Sequence, residues 1–454
     1  MLSRLTILAV VVLLAAPAIA AEPGEPARFN VGRAQEKITP PVGVSLAGYF
    51  HDRKGESVRD DLYARAVVLE SGGERLALVS CDLICLTEEV VDAARGLIAA
   101  ETAIAADHVM LCATHTHTGP ELRADSVVPR DDAWVAGLPR QIADCVATAA
   151  ASMTPATLRA GSIDVTGYSF NRLFRQKDGS ELFGRREGEL GPAGPIDPQL
   201  QTLSAVGEDG KLLAVLVNFA LHVDVIGGGG ATMISADWPG VMADTISRVY
   251  GGEVVTMLAQ GTCGDINHVP HDPTALPRGG PAKAEQIGRA LAGAAMAALE
   301  RAEPMRDGRI AVIEKTLEIP YYTRDESFMA ELAALKKKET LSGFEKYTIE
   351  RGETWSHDNQ TAKVPLQVMR IGEIGLVALP AEIFVAIGLE IKRWAPTPTF
   401  VVELANGRVT GYVPTTDQAE RGAYGAKPIL SRWLCSDAGR RLADAALVML
   451  QELK

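Results

Sequence analysis

Short apolar runs of β-type residues alternate along this chain with segments of helical period, and polar residues gather where those runs end. That alternation, more than composition, restricts what the chain can fold into. Leu62–Glu70 and Leu76–Leu83 read as a hairpin around the turn Ser71-Gly72-Gly73-Glu74. Glu88–Ala100 has helical spacing, and Asp107–Cys112 reads as a short strand after it. Further strands are predicted at Leu200–Val206, Leu212–Leu221, Val254–Leu258, Gln367–Ile371, Gly375–Leu379 and Thr399–Leu404. Helices are predicted at Leu138–Ser152, Gly240–Tyr250, Ala282–Arg301, Glu382–Trp394 and Asp437–Leu453. The fold class read from this pattern is α/β, with mixed β-sheets flanked by helices.

The first twenty residues have a basic start at Arg4, an apolar run Leu5–Ala16 and the small-residue exit pattern Ala18-Ile19-Ala20. They read as a signal peptide, residues 1–20, which predicts export to a periplasm or full secretion. No transmembrane segment is expected in the mature chain, because no later apolar run is long enough to span a bilayer. Residues 21–454 read as one domain, with a polar, Lys-rich helical insertion at about 321–352. The net charge of −12 argues against a nucleic-acid partner and against docking on anionic membranes. Six cysteines are expected to be mostly buried thiols, since Cys81, Cys85 and Cys112 sit in apolar strand-like runs.

His115 and His117 follow the Asp107–Cys112 run in Ala113-Thr114-His115-Thr116-His117-Thr118-Gly119-Pro120. Side chains two apart on a strand share a face, so both imidazoles are predicted to enter one space at a strand end. Such a pair suits a metal ion, or one metal ligand beside a proton-handling group. His222 ends the strongly apolar Leu212–Leu221 run and is a further ligand candidate. Asp237 reads as a helix cap, and Gly261–Asn267 as a Gly-rich turn that could bring backbone close to a substrate. Glu382, taken alone, reads as an ordinary helix-start acid. Together His115, His222 and Glu382 make the two-imidazole, one-carboxylate set of a hydrolytic zinc site.

The ordered motifs of the chain resemble the catalytic N-terminal domain of the neutral/alkaline non-lysosomal ceramidases. They are Ser80-Cys81-Asp82-Leu83, Ala113–Pro120, Phe170-Asn171-Arg172, Ile196–Gln199, Asn218–His222, Ile234–Asp237, Gly264-Asp265, Leu379–Glu382 and Gly411–Thr416 with Tyr424 beyond. The likeness runs from Val31 to about Trp433. It implies a ceramidase-like fold and a zinc-dependent amidohydrolase acting on ceramide or a related N-acyl lipid by attack of zinc-bound water. It further implies zinc ligands His115, His222, Glu382 and Tyr412, with His117, Arg172 and Tyr424 lining the reaction centre. Their implied roles are polarising the carbonyl, stabilising the oxyanion and orienting substrate. The alternatives are the same zinc chemistry on a non-lipid amide or ester, or a non-catalytic binding member of the family. The chain departs from the family pattern at Asn267, where a serine is usual, and it ends soon after the catalytic domain, without the family's C-terminal β-sandwich.

Overall fold

The computed structural model describes residues 25–454 except 229, 273, 275–277 and 408–410. The signal-peptide reading at 1–20 lies outside the described residues. Among them, no helix is long and apolar enough to cross a membrane.

The described chain stacks four layers: helices, a large sheet, a smaller sheet and helices again. The large sheet runs in the order Val255–Gln260, Leu212–Phe219, Gln199–Gly207, Thr154–Asp164, Phe29–Lys37, Tyr63–Ser71, Glu74–Cys81, Val109–Ala113. Its end pairs, Leu212–Phe219 with Val255–Gln260 and Glu74–Cys81 with Val109–Ala113, are parallel. The predicted hairpin forms as Tyr63–Ser71 against Glu74–Cys81. Strand alternation divides its side chains between two cores. Ala64, Ala66 and Val68 pack beneath the helices Glu88–Thr102 and Asp132–Ala151, while Val67 and Leu69 face the smaller sheet. The same division places Val215 and Val217 under the helices Asp237–Tyr250 and Pro281–Leu299, and Ala214 and Leu216 toward the smaller sheet. Ser80 Oγ donates to the Leu258 carbonyl at 2.6 Å, so the two end regions of the large sheet curl round to meet.

The smaller sheet orders Ile310–Pro320, Thr361–Ile371, Ile374–Ala378 and Thr399–Val402. Val364, Val368 and Val377 pack on the helices Val385–Trp394 and Ala438–Glu452. Asn218 Nδ2 donates to the Val401 carbonyl at 3.0 Å, tying the two sheets together near their carboxyl ends. The α/β class with mixed sheets and flanking helices is therefore what the chain adopts.

Three differences from the sequence reading matter. The long strands Phe29–Lys37, Thr154–Asp164 and Ile310–Pro320 carry charged or half-exposed residues and are held by pairing rather than announced by apolar runs. The helix expected at Glu382 begins at Val385, and Glu382–Ile383 is instead a short strand parallel to Tyr412–Val413. The 321–352 region holds two helices, Glu326–Lys336 and Gly343–Thr354, the second started by a capping box between Ser342 and Glu345. All six cysteines are free thiols, five of them buried.

Candidate active site

Carboxyl ends of strands from both sheets converge on one place, the location at which open α/β sheets build sites. His115 follows Val109–Ala113, His222 follows Leu212–Phe219, Cys263 follows Val255–Gln260, and Glu382 lies just beyond Ile374–Ala378. The convergence of His115 and His117 does not come from strand alternation. The strand ends at Ala113, and His115 takes a left-handed backbone with φ of 73°. The Leu83 carbonyl accepts its N–H at 2.8 Å, and the Val223 carbonyl accepts the His117 N–H at 3.0 Å. A tight turn, pinned on both sides, delivers the two rings to one point.

Nε2 of His115 lies 3.0 Å from Nε2 of His222 and 3.4 Å from Nε2 of His117. All three rings are buried. On the far side of the first two, Nδ1 of His115 donates to the Ile84 carbonyl at 2.8 Å and Nδ1 of His222 donates to the Cys263 carbonyl at 3.2 Å. Those bonds fix the tautomers. Each ring then presents an Nε2 lone pair to the other, with no proton between them. Glu382 Oε2 lies 3.4 Å from His115 Nε2, and it is buried without a hydrogen-bond partner. Converging acceptors with no donor among them fit a cation.

Electrostatics agree. Burial pushes the His222 imidazole well below its ordinary value, with Arg172 and His115 adding to it. Burial, with His115, takes His117 down to about 3. These rings are neutral, as ligation requires. Burial alone would raise Glu382, but the positive charge around it, Arg172's included, holds it well below the ordinary carboxylate range.

Tyr412 and Arg172 reach the same place from distant parts of the chain. Arg172 Nη2 donates to the Tyr412 hydroxyl at 3.1 Å and to the Gly264 carbonyl at 2.6 Å. Its guanidinium lies 5.6 Å from the Tyr424 ring centroid and 5.7 Å from that of Tyr412. Burial, with Glu382 beside it, pushes the Tyr412 phenol well above its usual value. Tyr424 is partly exposed at 41% and packs on Phe183 at 5.0 Å. All seven predicted site residues line one cavity of about 1010 Å³.

The other sequence candidates serve the scaffold. Asp237 is not the cap of its helix, because Ala236 holds that position; its carboxylate accepts from the Ile226 and Trp238 N–H groups at 2.8 and 2.6 Å. Gly264 permits close approach to backbone rather than to substrate, since a Cβ there would lie 3.0 Å from the Glu382 carbonyl oxygen. Asp265 accepts from the Val385 N–H and from Asn171 Nδ2, both at 2.8 Å. Asn267 lines the cavity and its Oδ1 accepts from the Val269 N–H at 3.0 Å.

Three groups escaped the sequence reading. Asp224 and His268 form a pair at 3.1 Å in the cavity wall. Arg53 Nη2 donates to the His117 carbonyl at 2.8 Å, steadying the turn. Glu403 is fully buried behind the ligand cluster, where Oε1 accepts from the Cys263 thiol at 2.9 Å and Oε2 from the Ile383 N–H at 2.6 Å. A lone acid inside the apolar Thr399–Leu404 run was the available signal for Glu403, and Asp224 stands two residues after His222.

Comparison with known proteins places the chain in a family and a fold. Residues 29–273 match the family described as neutral/alkaline non-lysosomal ceramidase, N-terminal. A neutral ceramidase of Pseudomonas aeruginosa is 29% identical over 210 residues, which is 43% of this chain and 30% of the relative. The aligned part thus spans under a third of that relative's length. The crystal structure of neutral ceramidase from Pseudomonas aeruginosa superposes with a TM-score of 0.72 at 21% identity, covering 93% of this chain and 75% of the other. A structure described as ceramidase complexed with C2 gives a TM-score of 0.73 at 20% identity, covering 94% and 75%. At these identities the structural likeness establishes a shared fold.

Proposed function

For a chain that belongs to the neutral/alkaline non-lysosomal ceramidase family, we propose a zinc-dependent amidohydrolase that cleaves the amide bond of ceramide or a related N-acyl lipid. The observation that carries this reading is the pair of carbonyl-anchored imidazoles whose Nε2 atoms face each other at 3.0 Å beside the unpartnered Glu382 oxygen. We assign His115, His222, Glu382 and Tyr412 as the residues that would hold zinc. His117 stands close enough to be a third nitrogen. Its Nδ1, however, is buried with no carbonyl or carboxylate to anchor it, whereas ligating histidines are anchored in that way. That difference assigns His117 to the reacting groups.

Zinc in such a donor set supplies Lewis acidity that activates water near neutral pH. The chain's own residues do the rest. The unanchored His117 can carry its proton on Nε2 and hydrogen-bond the amide oxygen as it gains charge, while the departing nitrogen takes up the proton that the attacking water loses. Arg172 stays charged, holds the Tyr412 hydroxyl in place and turns positive potential toward the same point. Tyr424, at the rim, orients the substrate. The cavity volume is at the upper end for small-molecule sites, which suits a long acyl chain. The N-terminal leader reading adds export to a periplasm or beyond as part of the proposal.

The test is a turnover screen of zinc-replete protein against N-acylsphingosine, N-acyl amino acids, non-lipid amides and esters. Release of fatty acid and amine from N-acyl lipids is the expected result. Cleavage confined to non-lipid esters or amides would overturn the substrate class, and no turnover with zinc bound would overturn catalysis.

A further inference from the structure

The cavity is lined by more cations than a neutral substrate needs. Arg123, Arg172, Arg186, Arg278, Arg351 and Lys427 face it, against Asp125, Asp224 and Glu382, in a chain whose net charge is −12. Some of these cations are spent within the protein. Arg123 forks onto Glu121 at 2.8 and 2.7 Å, and Lys427 reaches Glu331 at 2.8 Å. Arg351 is not. It lies on the helix Gly343–Thr354, its side chain is only 19% exposed, and its Nε is buried without a partner. Its carboxylate neighbour, Asp125, is 3.7 Å away, beyond hydrogen-bonding distance, and is itself 58% exposed. The guanidinium lies 5.4 Å from the Trp433 ring centroid, within cation–π range. A largely buried guanidinium with an unsatisfied Nε–H and no close carboxylate is costly unless an anion completes it.

This wall adjoins the reaction centre. Arg123 acts electrostatically on Glu382 on one side and on Tyr347, one turn from Arg351, on the other. The second helix of the polar insertion presents Tyr347 and Arg351 to the cavity. Phe50 stacks on Tyr347 at 5.7 Å and adds an apolar rim.

We propose that the cavity selects N-acyl substrates bearing an anionic group, a carboxylate or sulfonate, on the amine side, and that Arg351 binds that group. The inference rests on the amidase reading above. The acyl side of such a molecule is hydrocarbon, so the charge that meets Arg351 belongs to the amine. Guanidinium pairs with carboxylate or sulfonate oxygens through two N–H groups, and Trp433 stands beside it.

Three substrates of equal acyl length separate the outcomes: N-dodecanoylglycine, N-dodecanoyltaurine and the neutral N-dodecanoylethanolamine. KM is expected to be lowest for one or both anions, the lower of the two naming carboxylate or sulfonate. Arg351→Gln should raise the anion-to-neutral KM ratio by about 10- to 100-fold, the loss of one charge-assisted pair, and Arg351→Lys should recover part of it. A non-hydrolytic readout stands beside this. Tryptophan fluorescence titrated with the same three ligands should report tighter binding of the anions, with the difference removed in Arg351→Gln and by high salt. Equal KM and equal affinity for anionic and neutral ligands would overturn the proposal and leave the amidase reading intact. Anion-selective binding without turnover of any of the three would sustain this site and overturn the amidase reading.

Discussion

Gly48 is a sensitive point at which to test the part assigned to His117. Its φ is +96°, and a Cβ built there would lie 2.3 Å from His117 Nδ1. Ordinary contact distance is about 3.5 Å, so Gly48→Ala forces the imidazole to retreat by about 1 Å. The substitution also carries a backbone penalty of about 1–2 kcal/mol for a side chain in the left-handed region. Gly43 supplies the control: its φ is +103°, and a Cβ there would meet nothing within 4 Å. Gly43→Ala therefore carries the backbone penalty alone. Urea unfolding should show Gly43→Ala losing about 1–2 kcal/mol and Gly48→Ala losing about 1–3 kcal/mol more for crowding the ring, and elemental analysis should show full zinc in both. Turnover should part them. A displacement of about 1 Å in a reacting group costs about 10²-fold, so Gly48→Ala should fall by that factor while Gly43→Ala stays near wild type. Equal turnover in the two variants would refute the role given to His117. Zinc loss confined to Gly48→Ala would move His117 into the ligand set.

His117→Ala should keep its zinc and lose about 10²–10³ in turnover, as when one oxyanion donor is removed; retained activity would make it a structural neighbour. Glu403→Ala removes the carboxylate that accepts from the Ile383 N–H and the Cys263 S–H, next to Glu382 and to the carbonyl that anchors His222. Zinc affinity, read by chelator competition, should drop about 10- to 100-fold, with Glu403→Gln recovering most of it; an unchanged affinity would refute the link. Asp237 is pushed up to about 6 by burial. A folded-state value above the unfolded one means its stabilisation is full below about pH 4 and is lost as pH rises through about 6. The stability of wild type relative to Asp237→Asn should therefore fall by at most about 3 kcal/mol over that interval and be flat above it; a difference that grows with pH would contradict the assignment.

The sequence disclosed the fold where strands are buried on both faces. Tyr63–Ser71, Glu74–Cys81 and Leu212–Phe219 carry side chains into two cores at once, so their apolar runs are nearly continuous and plain to read. Ile310–Pro320 stands at an edge with Glu314 and Lys315 in it, and only pairing with Thr361–Ile371 makes it a strand. His115 and His117 do come together as the sequence suggested, but through a left-handed turn rather than strand alternation. Arg172 meets Tyr412 across 240 residues of chain, a distance that no local pattern reports. Those two residues and Tyr424 were reached only through family resemblance. Nothing in the local sequence singled out Arg351, which the fold brings to the cavity on the helix Gly343–Thr354.

The central claim is that His115, His222, Glu382 and Tyr412 hold a zinc ion on which amide hydrolysis depends. Adding zinc stepwise to metal-free protein, while following release of fatty acid and amine from an N-acyl lipid, tests it most directly. Activity should rise in proportion and level at one equivalent, and Glu382→Gln should need far more zinc to reach its own plateau. Turnover that persists in metal-free protein under chelator, or a zinc-saturated protein that hydrolyses no amide, would contradict the account.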